Sequence, residues 1–312
     1  NLVNGMMDSL VHRGPDDSGY YTDKNISLGH RRLSIIDLSQ KGKQPIYNED
    51  KTICVVYNGE IYNFQEIKSD LEKKRHKFYS NTDTEVIVHA YEEYGERCLE
   101  YFNGMFAFAI WDSKQKKLFL ARDRLGKKFL YYYHKDGKFM FASEIKALLQ
   151  YPDIKRQLNR PALSQFIFWA YTLDGSTLFK DIHELKPGHY MVYDGKNLEV
   201  KKYWDIQDKL KTISKLKDES YYVKKLRNLL IDAVRMRLIS DVPLGASLSG
   251  GIDSSLVVGL MNHLKEGDIK TYTVGFGRED DEFPYAKAVA EHCNAEYNEI
   301  VLSYDDMTKI IP

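Results

Sequence analysis

The stretch Ser249-Gly250-Gly251-Ile252-Asp253-Ser254-Ser255 has the residue types that hold a chain of phosphates. Two glycines let the backbone approach phosphate oxygens, N–H groups at a helix start bind them with help from the helix dipole, and serine hydroxyls add donors. Asp253 could hold Mg²⁺. The lysine of a G-x-x-x-x-G-K-[ST] loop is missing, so this is a different kind of phosphate loop. The plain alternative is a glycine turn before a helix capped by Asp or Ser. Further on, Thr271-Tyr272-Thr273-Val274-Gly275-Phe276 reads as a strand ending in an acidic loop. Ligands of open parallel sheets sit beyond the carboxyl ends of the strands, so the backbone of Val274 and Gly275 could face a nucleotide base. A buried strand end with no ligand is the alternative.

Three polar clusters mark the first half: His30-Arg31-Arg32-Leu33-Ser34-Ile35-Ile36-Asp37, Tyr57-Asn58-Gly59-Glu60-Ile61-Tyr62-Asn63 and Asn81-Thr82-Asp83-Thr84-Glu85. An arginine offers a carboxylate a bidentate partner. An aspartate can receive an α-ammonium group, and an Asn-Gly pair supplies amide donors for a tetrahedral oxyanion. Together they suit a free amino acid such as glutamine. Taken singly, Arg32 could be a surface ion pair, Asn58-Gly59 a hairpin turn, and Thr82 or Asp83 a helix cap.

A thiol would be the natural nucleophile for amide hydrolysis. Cys54 sits in an apolar strand, Cys98 in a helix-like segment and Cys293 near a helix end, the pattern of buried or incidental thiols. They form no C-x-x-C pair, which argues against a structural zinc site or a disulfide framework and fits a reducing cytoplasm. The nine histidines show no H-x-x-x-H or comparable metal spacing.

The elements that must position these residues follow from the apolar pattern. Short strands are expected at Ile26 to Leu28, Leu33 to Asp37, Ile53 to Tyr57, Phe106 to Trp111, Leu118 to Arg122, Phe129 to Tyr133, Phe139 to Ala142, His189 to Tyr193 and Leu198 to Lys201. Helices are expected at Asn4 to Val11, Ile61 to Lys74, Thr84 to Tyr94 and Glu144 to Leu149, the last capped by Ser143. Asp136-Gly137 and Asp194-Gly195 signal hairpins. This predicts an α+β domain of mainly antiparallel sheets packed face to face. Residues 205–220, rich in lysine, aspartate and serine, read as a linker. After it, a helix at Tyr222 to Ser240, a strand at Val242 to Leu248, a helix at Ser254 to Leu264, a strand at Lys270 to Phe276, a helix at Glu282 to His292 and a strand at Glu299 to Leu302 predict a parallel sheet.

Composition bounds the partners. Lysine plus arginine equals aspartate plus glutamate at 45 each in 312 residues, so there is no global field for nucleic acid or an anionic membrane. No apolar run approaches the roughly 20 residues of a membrane helix. Asn1 is no initiator methionine and the helix expected from Asn4 starts abruptly, so a segment upstream is expected.

The chain resembles the glutamine-hydrolysing asparagine synthetase family along essentially its whole length. The matching stretches are His12-Arg13-Gly14-Pro15-Asp16-Asp17-Ser18-Gly19, Arg31 to Asp37, Asn58 to Asn63, Thr82 to Glu85, Asn103-Gly104-Met105-Phe106-Ala107-Phe108, Ala121-Arg122-Asp123-Arg124-Leu125-Gly126 and Ser249 to Ser255. The resemblance implies an N-terminal-nucleophile hydrolase αββα sandwich over 1–204, the linker 205–220, and part of an α/β ATP-pyrophosphatase domain over 221–312. It implies that Arg32 and the backbone of Leu33, Ser34, Ile35 and Ile36 hold the glutamine carboxylate. Asn58 and Gly59 would form the oxyanion hole, with Glu60 and Asp83 around the amino group. Leu248, Ser249, Gly250, Gly251, Asp253, Ser254, Ser255, Val274 and Gly275 would bind ATP, with Mg²⁺ as cofactor.

The implied reaction is hydrolysis of glutamine, passage of ammonia to the second domain, and its attack on an acyl-adenylate of a carboxylate, expected to be aspartate, giving asparagine, glutamate, AMP and pyrophosphate. A homodimer is compatible with the resemblance. The family's nucleophile is an amino-terminal cysteine, expected upstream of Asn1, and the acceptor residues would follow Pro312. This stretch alone is therefore expected to be inactive. The competing readings are an amidotransferase for a sugar acid or another carboxylate in polysaccharide assembly, and a truncated protein that binds glutamine or ATP without catalysis.

Overall fold

The computed structural model describes residues 2–210, 217–264 and 269–310. The chain divides into two compact units, Asn1–Ile213 and Ser214–Pro312. In the first, α1 (Leu2–Asp8), β1 (Asp17–Thr22), β2 (Ser27–Arg32), β3 (Ile46–Tyr47), β4 (Ile53–Ile61), α2 (Phe64–Lys73) and α3 (Glu85–Tyr94) lead into β5 (Gly104–Asp112) and β6 (Lys117–Arg122). Then come β7 (Tyr131–Lys135), β8 (Lys138–Ala142), α4 (Ile145–Leu148), α5 (Arg160–Trp169), β9 (Ile182–Glu184), β10 (His189–Tyr193), β11 (Leu198–Lys202) and α6 (Ile206–Leu210).

Six strands pair antiparallel in the order β11-β10-β6-β5-β4-β3, beside a β1-β2 pair and a β8-β7-β9 sheet. Side chains alternate between the faces of a strand, so Cys54 and Val56 of β4 join Ala107, Ala109 and Trp111 of β5 in one apolar layer. Leu28 of β2 enters the same core, with Tyr132 of β7 and Phe139 and Phe141 of β8 packed on it, so the six-stranded sheet faces the two smaller ones. On its other face α3 covers the sheet, with α2 packed on α3 and Tyr91 of α3 stacked 5.4 Å from Phe119 of β6. Helices α1 and α4 pack on β2, β7 and β8 from the far side. The layer order is thus helix, sheet, sheet, helix, the αββα sandwich expected from the sequence.

Both Asp-Gly hairpins form, with Lys135 opposite Lys138 and Tyr193 opposite Leu198. Several sequence expectations are corrected. Leu33 to Asp37 is an irregular loop and no strand: the buried Arg32 guanidinium donates from Nη1 to Ser39 O at 3.0 Å and from Nη2 to Ile36 O at 3.3 Å and to Asp37 O, so side-chain donors replace ladder partners. The first helix stops at Asp8, and a separate turn of 3₁₀ helix occupies Val11–Arg13 before Gly14-Pro15. Ile61 closes β4 instead of opening α2, because strand pairing with Gly104 claims it. Ser143 does not cap α4, whose N-cap residue is Glu144, without a capping bond. Sequence reading missed β1 and also α5, which Asn159 caps through Ala162 N with proline in its first turn. Of the expected linker 205–220, residues 211–216 lie outside the described residues, and α6 occupies part of the remainder.

The second unit contains α7 (Glu219–Met236), β12 (Gly245–Ser247), α8 (Ile252–Leu264), β13 (Lys270–Gly275), α9 (Phe283–His292), β14 (Glu296–Val301) and α10 (Tyr304–Ile310). Its strands pair parallel in the order β12-β13-β14. The strand expected over Val242 to Leu248 shrinks to Gly245–Ser247. Leu248, Val258, Ala286, Ala290 and Cys293 form its core. Among the described residues no helix is long and apolar enough to cross a membrane.

The longest pairing in the first unit is β4 with β5, running from Ile53 opposite Asp112 to Ile61 opposite Gly104. It puts Asn58 and Gly59 inside a strand instead of a hairpin turn. At Gly59 a methyl group would fall 2.1 Å from Met105 O, a backbone atom that cannot swing aside. Gly59→Ala is therefore expected to destabilise the first unit by about 1–3 kcal/mol, read as a lower urea midpoint. Gly5→Ala, with open space around a helical position, should leave that midpoint unchanged or raise it.

Candidate active site

A cavity of about 240 Å³ opens where the end of β2, the strand β4 and the loop before α3 converge. Arg32, Leu33, Ile35, Ile36, Asn58, Gly59, Glu60 and Asp83 all line it, so three segments far apart in sequence meet there. Ser34 is outside the lining; its backbone N–H donates to Asp16 Oδ2 at 2.7 Å, which turns the loop. A neighbouring, more apolar cavity of about 370 Å³ lies beside α1, and His30, Tyr57 and Asn58 line both.

Asn58 is half-buried in β4, with its backbone opposite Ala107 and its amide Nδ2 buried. Its Nδ2 has no hydrogen-bond partner among the described residues. A buried amide donor left unpaired costs about 1–3 kcal/mol, and a ligand oxygen would relieve that cost. Beside it the backbone of Gly59 lines the cavity, while the space a side chain would take there is filled by the β5 backbone.

Asp83 is a buried carboxylate of the same lining. Its side chain is buried, and Oδ2 accepts both Tyr57 Oη and Ile61 N at 2.9 Å, while Oδ1 accepts Thr82 Oγ1 at 3.2 Å. Burial pushes its carboxyl above the usual carboxylate range, and these hydrogen bonds only partly offset that. Burial, with the Asp83 charge adding to it, also drives the Tyr57 hydroxyl well above its ordinary value, so Tyr57 is a firm donor. A buried carboxylate disfavoured as an anion is stabilised by an incoming cation.

Arg32 faces the loop as much as the cavity. Its bonds to three carbonyls occupy both Nη2 hydrogens and one on Nη1, leaving Nε–H and one Nη1–H of its five donors for another acceptor. Asp37 completes this loop by accepting Asn81 N at 2.8 Å, which joins it to the segment carrying Asp83. His30 places Nε2 3.0 Å from Tyr57 O, and burial lowers its pKa to about 4, so the ring is neutral at pH 7. None of the cavity-lining residues is a cysteine. Cys54 is buried with its thiol pushed up to about 12, and burial raises that of Cys98 as well. Both are poor nucleophiles.

In the second unit, Ser249 to Ser255 joins β12 to α8. Ser249 Oγ lies 3.1 Å from Ser254 Oγ and accepts Gly251 N at 3.3 Å, which folds the loop over its own helix start. Gly250 has φ +78°, and a side chain there would strike Tyr285, 2.5 Å away, so glycine is required. Ser255 Oγ is buried without a partner among the described residues, while Asp253 is exposed. Leu248 is core, so it can meet a ligand only through its backbone. Val274 is half exposed, and Gly275 packs against Phe283 and Asp281.

Sequence reading missed Gln44 and underused Tyr57. Gln44 is buried, lines the cavity and accepts Tyr57 N at 2.7 Å through Oε1. No spacing announces a glutamine contributed by a loop, whereas the alternation of β4 could have singled out Tyr57 as facing away from the layer that takes Val56.

Residues 1–204 match the family described as glutamine amidotransferase domain, and residues 225–312 match asparagine synthase. Asparagine synthetase [glutamine-hydrolyzing] 3 of Bacillus subtilis is 36% identical over 97% of this chain and 51% of its own length. Putative asparagine synthetase [glutamine-hydrolyzing] 2 of Methanocaldococcus jannaschii is 37% identical over 99% of this chain and 63% of its own length. The chain therefore spans about half to two thirds of these relatives. Among solved structures, the glutamine phosphoribosylpyrophosphate amidotransferase of B. subtilis, complexed with ADP and GMP, is similar with a TM-score of 0.48 and 16% identity, over 100% of this chain and 68% of that one. With one domain family over its first two thirds and the other following it, the chain belongs to the glutamine-hydrolysing asparagine synthetase family.

Proposed function

We propose that the cavity of the first unit binds glutamine for hydrolysis, and that the complete protein uses the ammonia to amidate a carboxylate, aspartate, at the expense of ATP. The observation that carries this reading is the unpartnered, buried Asn58 Nδ2 beside Gly59. It is a donor already in place for the oxygen that gains charge when the side-chain amide of glutamine is attacked. Asp83, with Glu60, receives the α-ammonium group. The free donors of Arg32 and the backbone of the 33–36 loop meet the α-carboxylate. The attacking thiol comes from none of the three cysteines described above.

In the second unit the Ser249 to Ser255 loop takes the ATP phosphates, and Asp253 would hold a Mg²⁺ ion that neutralises their charge. The acceptor carboxylate displaces pyrophosphate to form an acyl-adenylate. Ammonia then attacks the acyl carbon and AMP leaves, carrying the bonding electron pair. The membership of residues 225–312 in the asparagine synthase family supports this half. The test is AMP release by the complete protein with glutamine and Mg-ATP: release that requires aspartate supports the proposal, and release with a sugar acid but not with aspartate rejects aspartate as acceptor.

A pH dependence follows from Asp83. Its folded-state pKa is raised above 3.8, so ionising it costs stability as pH rises through that value, and a docked ammonium group returns this cost. Glutamine binding should accordingly weaken as pH falls through the raised pKa, by up to about tenfold per unit, in calorimetric titrations. Asp83→Asn should weaken binding at pH 7.5 by about tenfold or more, roughly 1.4 kcal/mol, and flatten the pH profile.

A further inference from the structure

Outside the lining of the glutamine cavity, Glu49, His76, His89 and Glu92 bring one ligand atom each within 4.8 Å of one another. The two histidines stand 13 residues apart, at no recognisable metal spacing, and meet because α3 packs on α2 and on β3. Their rings approach through Nδ1 atoms 3.3 Å apart. The edge of a tetrahedron built on metal–nitrogen bonds of about 2.0–2.1 Å is about 3.3–3.4 Å. Glu49 Oε2 lies 3.5 Å from His89 Nδ1, and Glu92 Oε2 lies 3.7 Å from His76 Nδ1 and 3.9 Å from His89 Nδ1. A cation at the centre needs only small closures of the two carboxylates.

The surroundings are arranged as for ligands. Each carboxylate is anchored by one oxygen and turns the other inward: Glu49 Oε1 accepts Lys77 N at 2.8 Å, and Glu92 Oε1 accepts Asn48 Nδ2 at 3.2 Å. Each imidazole directs its outer nitrogen at a further carboxylate, His89 Nε2 to Glu85 Oε1 at 3.5 Å and His76 Nε2 to Glu93 Oε2 at 3.4 Å. That arrangement presents Nδ1 as the free lone pair, the outer shell of a histidine–metal site. His89 is fully buried, and the Phe78 ring, 4.3 Å away, shields it. Without a cation, two Nδ1 atoms at this distance must share one proton or repel.

We propose that Glu49, His76, His89 and Glu92 bind a zinc ion that ties the turn between β3 and β4, the segment after α2, and α3. Two imidazoles with two carboxylates in a tetrahedral arrangement suit Zn²⁺ over Mg²⁺ or Ca²⁺, which take mostly oxygen ligands. The ion's role is structural, since protein atoms fill all four positions.

The test takes the 312-residue chain, freed of metal with a chelator, and titrates it with zinc chloride against a chromophoric competitor. The proposal expects a single zinc per chain, a higher melting temperature with zinc, and the visible absorption of tetrahedral cobalt(II) when that ion is substituted. Glu49→Gln/Glu92→Gln, at exposed positions whose anchoring bonds the amide oxygens can keep, should lose at least tenfold in zinc affinity and lose the zinc-dependent rise in melting temperature. His76→Gln should do the same and abolish the tetrahedral cobalt spectrum. Absence of stoichiometric zinc binding, or unchanged affinity in both variants, overturns the proposal.

Discussion

Asp83 holds together the parts of the first unit on which the cavity depends. Its Oδ2 accepts the N–H of Ile61 at the end of β4 and the hydroxyl of Tyr57 four residues earlier on the same strand. The strand carrying Asn58 and Gly59 is thereby fixed to the segment that opens α3. Asp37 ties that same segment to the loop organised by Arg32. Because Asp83 is buried, its negative charge is costly in the empty cavity, and the bonds that position it do not fully offset the cost. The group that aligns the walls is thus also one that an incoming cation would stabilise.

Two further buried charged residues, Arg122 and Asp123, organise the connection that follows β6. Asp123 is almost completely buried and accepts the N–H groups of Phe106, Leu125, Lys127 and Lys128 at 3.0–3.1 Å, while the Arg122 guanidinium donates to Gly126 O, Lys128 O and Leu185 O and pairs with Glu184. Buried charges of this sort are tolerable when every lone pair and proton is satisfied. Here they replace backbone pairing over an irregular connection after β6. The motif Ala121 to Gly126 therefore has a structural explanation without any contact to a ligand.

Much of this was legible in sequence, for identifiable reasons. Alternating apolar residues located β4, β5 and β6, and Asp136-Gly137 and Asp194-Gly195 marked real hairpins because tight turns need residues that tolerate positive φ. The strand-helix-strand alternation of the second unit was equally readable. What escaped was decided by tertiary bonds. Leu33 to Asp37 has strand composition, yet the Arg32 side chain takes its carbonyls. Asn58-Gly59 has the composition of a turn, yet β5 pairs with it throughout. Gln44, and the meeting of His76 with His89, depend on packing between segments and leave no periodic trace.

The central claim is that the cavity recognises a free amino acid through Asp83 at one end and Asn58 with Gly59 at the other. Calorimetric titration of this chain with glutamine and with N-acetylglutamine, which lacks the ammonium group, tests it most directly. The account predicts saturable binding of glutamine and at least tenfold weaker binding of the acetylated analogue, a difference of about 1.4 kcal/mol. Equal affinity for the two compounds would contradict it.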